Sequence, residues 1–159
     1  MHLTIFTDYT LRVLIYLGAY QHEVRLTTIG DIATAYGIPG DHLRKIVHHL
    51  AKQGYVETLR GKGGGMRLAH APDQINLGEV VRGSERDQAL VECFPRNGKN
   101  ACPIVSVCAL RGILDRALHA FFDELDHHTL ADLLDPRSDL IRIFTAPEHD
   151  SGAAGDASR

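Results

Sequence analysis

Thr28-Ile29-Gly30-Asp31-Ile32-Ala33-Thr34-Ala35-Tyr36-Gly37-Ile38-Pro39-Gly40-Asp41-His42-Leu43-Arg44-Lys45-Ile46-Val47-His48-His49-Leu50 holds two helical apolar stripes on either side of a Pro-Gly turn. Ile29, Ile32, Ala33 and Tyr36 share one stripe of a short helix that starts at Thr27, and Gly37 stops it. Ile38-Pro39-Gly40 is a turn. Asp41 is expected to cap a second helix running to about Gln53, with Leu43, Ile46, Val47 and Leu50 on its buried face. Two short helices joined by a glycine-bearing turn form a helix-turn-helix, whose second member enters the major groove. Arg44, Lys45 and His48, with His42 and Asp41 at the helix start, are therefore the candidate groove-facing residues. Without DNA, the same side chains would be an ordinary solvated helix face.

Downstream, Gly54 ends the helix and Tyr55-Val56-Glu57-Thr58-Leu59-Arg60 alternates as a half-buried strand does. Gly61-Lys62-Gly63-Gly64-Gly65 turns the chain and Met66-Arg67-Leu68-Ala69 returns it, giving a hairpin with a basic, glycine-rich tip. Such a wing can bring backbone close to a phosphate or carry Arg and Lys into a minor groove, which nominates Arg60, Lys62 and Arg67. A nucleotide-phosphate loop is a poor rival: the glycine spacing is wrong and no Gly-Lys-Ser/Thr ending is present.

Upstream, a helix over Thr7 to about Tyr20 is expected, with Leu11, Leu14, Ile15 and Gly18 on one face and Thr7 as its cap. Asp8 falls in the first turn, where the helix dipole favours a carboxylate. Beyond the wing, Asn76 or a neighbour caps a short helix from Leu77 to about Arg82. From Ile104 or Ala109 to Leu125 the apolar stripe Leu110, Ile113, Leu114, Ala117, Leu118, Phe121, Phe122, Leu125 reads as one long helix. A face so wide must pack on the amino-terminal unit, on a second copy, or on both. Thr129 caps a short helix that ends before Pro136, and the residues after about 147 have too little to bury and are expected to be disordered.

The 159-residue chain carries a net charge of −3, which argues against binding nucleic acid through overall charge. The charge is uneven, however. From His42 to Arg67 the cations Arg44, Lys45, Lys52, Arg60, Lys62 and Arg67 face Glu57 alone, while the acids crowd the later part. No secretory signal and no apolar run of ~20 residues is present, so a cytoplasmic protein without a membrane partner is expected. No nucleophile with an oriented base stands at recognisable spacing, which speaks against an enzyme.

All three cysteines, Cys93, Cys102 and Cys108, lie in one short segment between these modules. In a reducing compartment an odd, clustered set favours a metal or cofactor site over a disulfide framework. Structural thiols, a zinc site and a thiol redox switch are all open, although the close cysteine pairs of zinc sites are missing. An iron-sulfur cluster is favoured, because thiolates are its usual ligands and three of them leave one iron for a weaker donor.

Phe6-Thr7-Asp8-Tyr9, the helix-turn-helix, the wing Arg60-Gly61-Lys62-Gly63-Gly64-Gly65-Met66-Arg67-Leu68 and the three spaced cysteines together resemble the Rrf family of winged-helix iron-sulfur repressors. Thr7-Asp8-Tyr9, Cys102-Pro103-Ile104 and Asp126-His127-His128-Thr129-Leu130-Ala131-Asp132-Leu133 are most like its nitric-oxide-sensing branch. The resemblance covers roughly residues 1–134, and the eight residues between Cys93 and Cys102 make a longer loop than in the shortest-spaced relatives.

It implies a homodimer paired through the long helices. Each cluster, [4Fe-4S] in preference to [2Fe-2S], would be held by Cys93, Cys102 and Cys108 with Asp8 of the other subunit as fourth ligand. The cluster-bound dimer would bind operator DNA, and nitrosylation would release it. A related branch of the family senses cluster supply instead. The expected fold is mainly α with a small β-hairpin: a winged helix-turn-helix over 1–85, a cluster-binding loop over 86–108, a dimerisation helix and short helix over 109–134, and an extension over 135–159.

Overall fold

Helix α1 (Ile5–Ala19) runs through the middle of the core, where Val13, Leu14 and Ala19 have no exposed surface. The computed structural model describes residues 2–85, 89–91, 93–94 and 102–146. Thr4, not Thr7, caps α1: its backbone is extended and its hydroxyl accepts the Thr7 N–H at 3.2 Å. Thr7 is instead fully buried inside the first turns, because Ile5 and Phe6 already belong to the helix.

Helix α2 (Ile29–Tyr36) starts in a capping box, with the Thr28 hydroxyl bonded to the Asp31 N–H and the Asp31 carboxylate returning to the Thr28 N–H at 2.7 Å. Gly37 closes it in the left-handed region. Helix α3 (Gly40–Lys52) begins one residue before the expected Asp41 cap. Pro39 holds the entry with its restricted φ, no side chain caps the helix, and the Asp41 carboxylate turns to Arg44 one turn on. The α3 stripe fills the core as expected: Leu43, Ile46 and Leu50 are essentially inaccessible, each burial stabilising by about 1.5–3 kcal/mol.

Strands β1 (Val56–Leu59) and β2 (Gly65–Leu68) pair antiparallel with Val56 opposite Leu68 and Leu59 opposite Gly65. Thr27, just before α2, exchanges two backbone hydrogen bonds with Met66, tying the wing to the helix-turn-helix. A 3-10 turn (Pro72–Gln74) leads to α4 (Leu77–Ser84), capped by Asn76 as expected. The fold class read from the sequence, mainly helical with one hairpin and a winged helix-turn-helix, is the one observed.

Helix α5 (Ala109–Asp126) is the long helix of the stripe, but only Phe122 on it is buried. Its carboxy-terminal end packs on α4, while Leu110 and Ile113 in its first half are 59% and 52% exposed. The chain then returns to the core. Leu130 N–H bonds to Ile75 C=O at 2.8 Å, and Leu130 and Leu134, in the 3-10 helix Leu130–Leu134, pack in the same buried cluster as α1. Thr129 and Asp132 form the cap of this helix.

The short helix ends before Pro136 as expected, and a further helix that the sequence did not announce, α6 (Arg137–Thr145), starts directly after that proline. A proline is tolerated at a helix start, where its missing N–H has no partner to lose. Phe144 of α6 sits with ring centroids 5.0 Å from Tyr16 and 5.1 Å from Tyr36, and Arg137 Nε donates to Ala19 C=O at 2.7 Å across the end of α1. Burial in this cluster pushes the Tyr16 and Tyr36 phenols up to about 12. The tail expected to be disordered, 147–159, lies outside the described residues.

Candidate DNA-binding face and cysteine site

Helix α3 buries one stripe, so the residues between its apolar positions necessarily face outward. His42, Arg44, Lys45 and His48 are all exposed. Arg44 is engaged with Asp41 on its own helix, and the His42 ring lies 6.2 Å from that of Tyr9 on α1. His49, next in sequence, behaves differently. It meets Phe6 edge-on at 5.2 Å, and burial, with Lys52 and His48 nearby, lowers its pKa below the usual 6.5. It is a packing residue beside the outward face, not part of it.

Arg60 and Lys62 stand exposed at and beside the wing tip, where Gly61 and Gly63 take φ of 99° and 79°. Those values lie in the left-handed region that a side chain disfavours, so glycine is what lets the tip turn tightly. Arg67 is less free: its guanidinium bonds to Glu57 directly across the hairpin, through Nε at 3.0 Å and Nη2 at 2.9 Å.

Asp8 sits half-buried in the first turn of α1. Its Oδ1 accepts from Arg12 Nε at 3.1 Å and its Oδ2 lies 2.9 Å from Arg12 Nη2. The Arg12 guanidinium in turn lies 5.8 Å from the Tyr9 ring centroid and 5.7 Å from that of Tyr36 on α2. Sequence reasoning passed over Arg12, although its i, i+4 spacing from Asp8 was a readable signal. The amino end of α1 is also tied to the end of α4, where Glu85 Oε1 accepts the Thr4 N–H at 2.7 Å.

The three thiols are free and half-buried. Cys93 lies in a short turn with Phe94 N–H bonded to Val91 C=O, Cys102 opens a series of turns by accepting the Val105 N–H at 3.3 Å, and Cys108 is the residue from which α5 starts. Residues 86–88, 92 and 95–101 of the expected cluster-binding loop lie outside the described residues. Among the described residues of this single chain, no three His, Cys, Asp or Glu side chains are gathered closely enough to hold a metal ion. As donors, three unpaired thiols nevertheless fit an iron-sulfur cluster better than a hard cation. No helix among the described residues is long and apolar enough to cross a membrane.

Residues 3–136 match the Rrf2 family, described as iron-dependent transcriptional regulator. The HTH-type transcriptional regulator NsrR of Geobacillus kaustophilus is 51% identical over 144 residues, covering 91% of this chain and 97% of that protein. NsrR of Bacillus subtilis is 47% identical over 148 residues, covering 93% and 100%. Among solved structures, CymR of B. subtilis, titled the global cysteine regulator, superposes with a TM-score of 0.67 at 27% identity over 84% of this chain and 95% of its own. T. potens IscR, at 21% identity, shares the fold with a TM-score of 0.67 over 86% and 88%. With an outward basic helix, a wing and these relatives, the chain is a DNA-binding transcriptional regulator, not an enzyme, and it belongs to the Rrf2 family.

Proposed function

We propose that the chain is a homodimeric repressor that binds operator DNA and reports nitric oxide through an iron-sulfur cluster. The observation that carries the reading is the trio of free, half-buried thiols between α4 and α5 in a chain with a winged-helix reader. Cys93, Cys102 and Cys108 would hold the cluster with Asp8 of the partner subunit, and three thiolates plus one carboxylate match the four irons of a [4Fe-4S] cluster. A bound cluster supplies iron with which nitric oxide reacts. The nitric-oxide assignment rests on the resemblance carried by Thr7-Asp8-Tyr9 and Cys102-Pro103-Ile104, and the relatives named NsrR support it.

The chain's own residues then act as a relay. Asp8 has two alternative engagements: the cysteine loop of the other subunit, or Arg12 on its own helix as found here. Arg12 rests over Tyr9 and Tyr36, and Tyr9 meets His42 at the start of α3, so a change at Asp8 is felt at both helices of the reader. The exposed stripe of α5 is the pairing surface, and Arg44, Lys45, His48, His42, Arg60, Lys62 and Arg67 are the DNA contacts. Recognition helices about one DNA turn apart, ~34 Å, suit a two-fold operator only while that geometry is held.

Chain mixing tests the shared site. Asp8→Ala and Cys108→Ser chains should each purify without a stable cluster, and mixing them should restore one site per heterodimer, read as iron, sulfide and visible absorption. A mixture as colourless as its components would remove Asp8 of the partner subunit from the ligand set.

A further inference from the structure

The carboxy-terminal end of helix α5 is fixed to α4 by side-chain and backbone contacts. At Asp126, its last residue, the carboxylate takes both terminal nitrogens of Arg82 on α4, with Nη1 to Oδ1 at 2.6 Å, and the same guanidinium stacks 4.6 Å from the Phe122 ring centroid. Asn76, the cap of α4, donates from Nδ2 to the Asp126 carbonyl at 2.7 Å. The approach depends on Gly78: a Cβ there would stand 1.9 Å from Asp126 Oδ1 and 3.0 Å from Arg82 Nη1. The helix end is thus fixed through its side chain and its backbone, while Leu110 and Ile113 at the other end stay exposed.

We infer that the Arg82–Asp126 bracket, closed over Gly78, sets the operator half-site spacing this regulator accepts. The inference rests on the proposed pairing of α5. The physical reason is leverage. From Asp126 back to Ile113 the helix runs roughly 20 Å at ~1.5 Å per residue. A tilt of about 10° at the bracket therefore moves the pairing end by roughly 3.5 Å, which is about the ~3.4 Å spacing of successive base pairs. Arg82 and Asp126 are positioning residues: they join α4 to the end of α5, and the reading face is built on α3 and the wing.

The test uses Gly78→Ala and Asp126→Asn. Alanine suits helix α4 better than glycine, so the first variant opens the bracket without removing charge or helix propensity. Full-length protein, purified anaerobically, is titrated against duplexes that the unmodified protein selects from a random-sequence pool, remade with spacers one or two base pairs longer and shorter. Both variants should stay folded and dimeric, lose roughly fivefold or more in affinity at the native spacing, and lose less, or gain, at an altered one. Equal weakening at every spacing, or none, overturns the inference. If the unmodified protein sediments as a monomer when bound to a single half-site, the pairing reading itself fails, a result distinct from an unchanged spacing preference in a dimer.

Discussion

Asp8 and Arg12 are joined by two contacts one helical turn apart on α1, Nε to Oδ1 at 3.1 Å and Nη2 to Oδ2 at 2.9 Å. The carboxylate proposed as fourth ligand therefore has an intramolecular competitor. Both side chains are partly exposed, and such a pair contributes only about 0.2–1 kcal/mol. An Arg12→Gln variant should accordingly hold its cluster more firmly against a chelator, by up to roughly fivefold in midpoint. It should also need more nitric oxide to release operator DNA. Faster cluster loss in that variant would mean that Arg12 supports the ligand instead of competing with it.

The wing offers a comparison between two cations of different standing. Lys62 is exposed at the tip, whereas Arg67 is held by Glu57 across the strands. Lys62→Ala should weaken operator binding across sequences and lower the salt slope by roughly one unit, the signature of one lost phosphate contact. Arg67→Ala should change the slope less, and Glu57→Gln, which frees Arg67, should strengthen binding. A salt slope unmoved by Lys62→Ala removes that residue from the contact set.

His49 gives the fold a pH dependence of definite sign. Burial first, then Lys52 and His48, lower its pKa below 6.5, so the folded state binds this proton less readily than the unfolded chain. The contribution is complete above 6.5 and is lost as pH falls through the lowered folded value. Thermal midpoints should drop as pH falls below 6.5, and the drop should shrink in His49→Leu. The carboxylates of Asp31, Asp126 and Asp132, also lowered, act in a separate window below 3.8. An identical pH profile in the variant would contradict the packing role of His49.

Two leucines of the later chain should separate stability from association. Leu130 is fully buried in the α1 core, and Leu130→Ala should lower stability by about 2–5 kcal/mol in denaturant titrations. Leu110, 59% exposed on α5, should cost the single chain little when changed to Ser yet raise the dimer dissociation constant. Sedimentation with unaltered association would place the pairing surface elsewhere.

Much of this architecture is legible in the residues alone, because α2, α3 and α5 each announce a periodic stripe and Gly37, Gly54 and the glycine run at 61–65 punctuate them. What escaped was set by contacts distant in sequence. The Pro136 helix start looks like a stop until Phe144 is seen against Tyr16 and Tyr36. The stripe of α5 shows that it must be covered, but not that Phe122 is covered by the chain itself while Leu110 is not. Thr4 displaced Thr7 as cap, and its own N–H is held by Glu85 from the end of α4. For the site, the thiols and the basic face could be named from spacing and charge, whereas the role proposed for Asp8 came only from family resemblance, since a ligand given to another subunit would leave no pattern within one chain.

In the proposed mechanism, iron bound at the cysteines couples nitric oxide to operator release. The most direct measurement is operator affinity of the anaerobically purified chain through a stepwise nitric oxide titration, with iron, sulfide and the visible spectrum followed in the same samples. A coloured, iron- and sulfide-bearing protein that lets go of DNA as the spectrum bleaches is the expected result. A colourless or zinc-loaded protein whose DNA affinity ignores nitric oxide would contradict it.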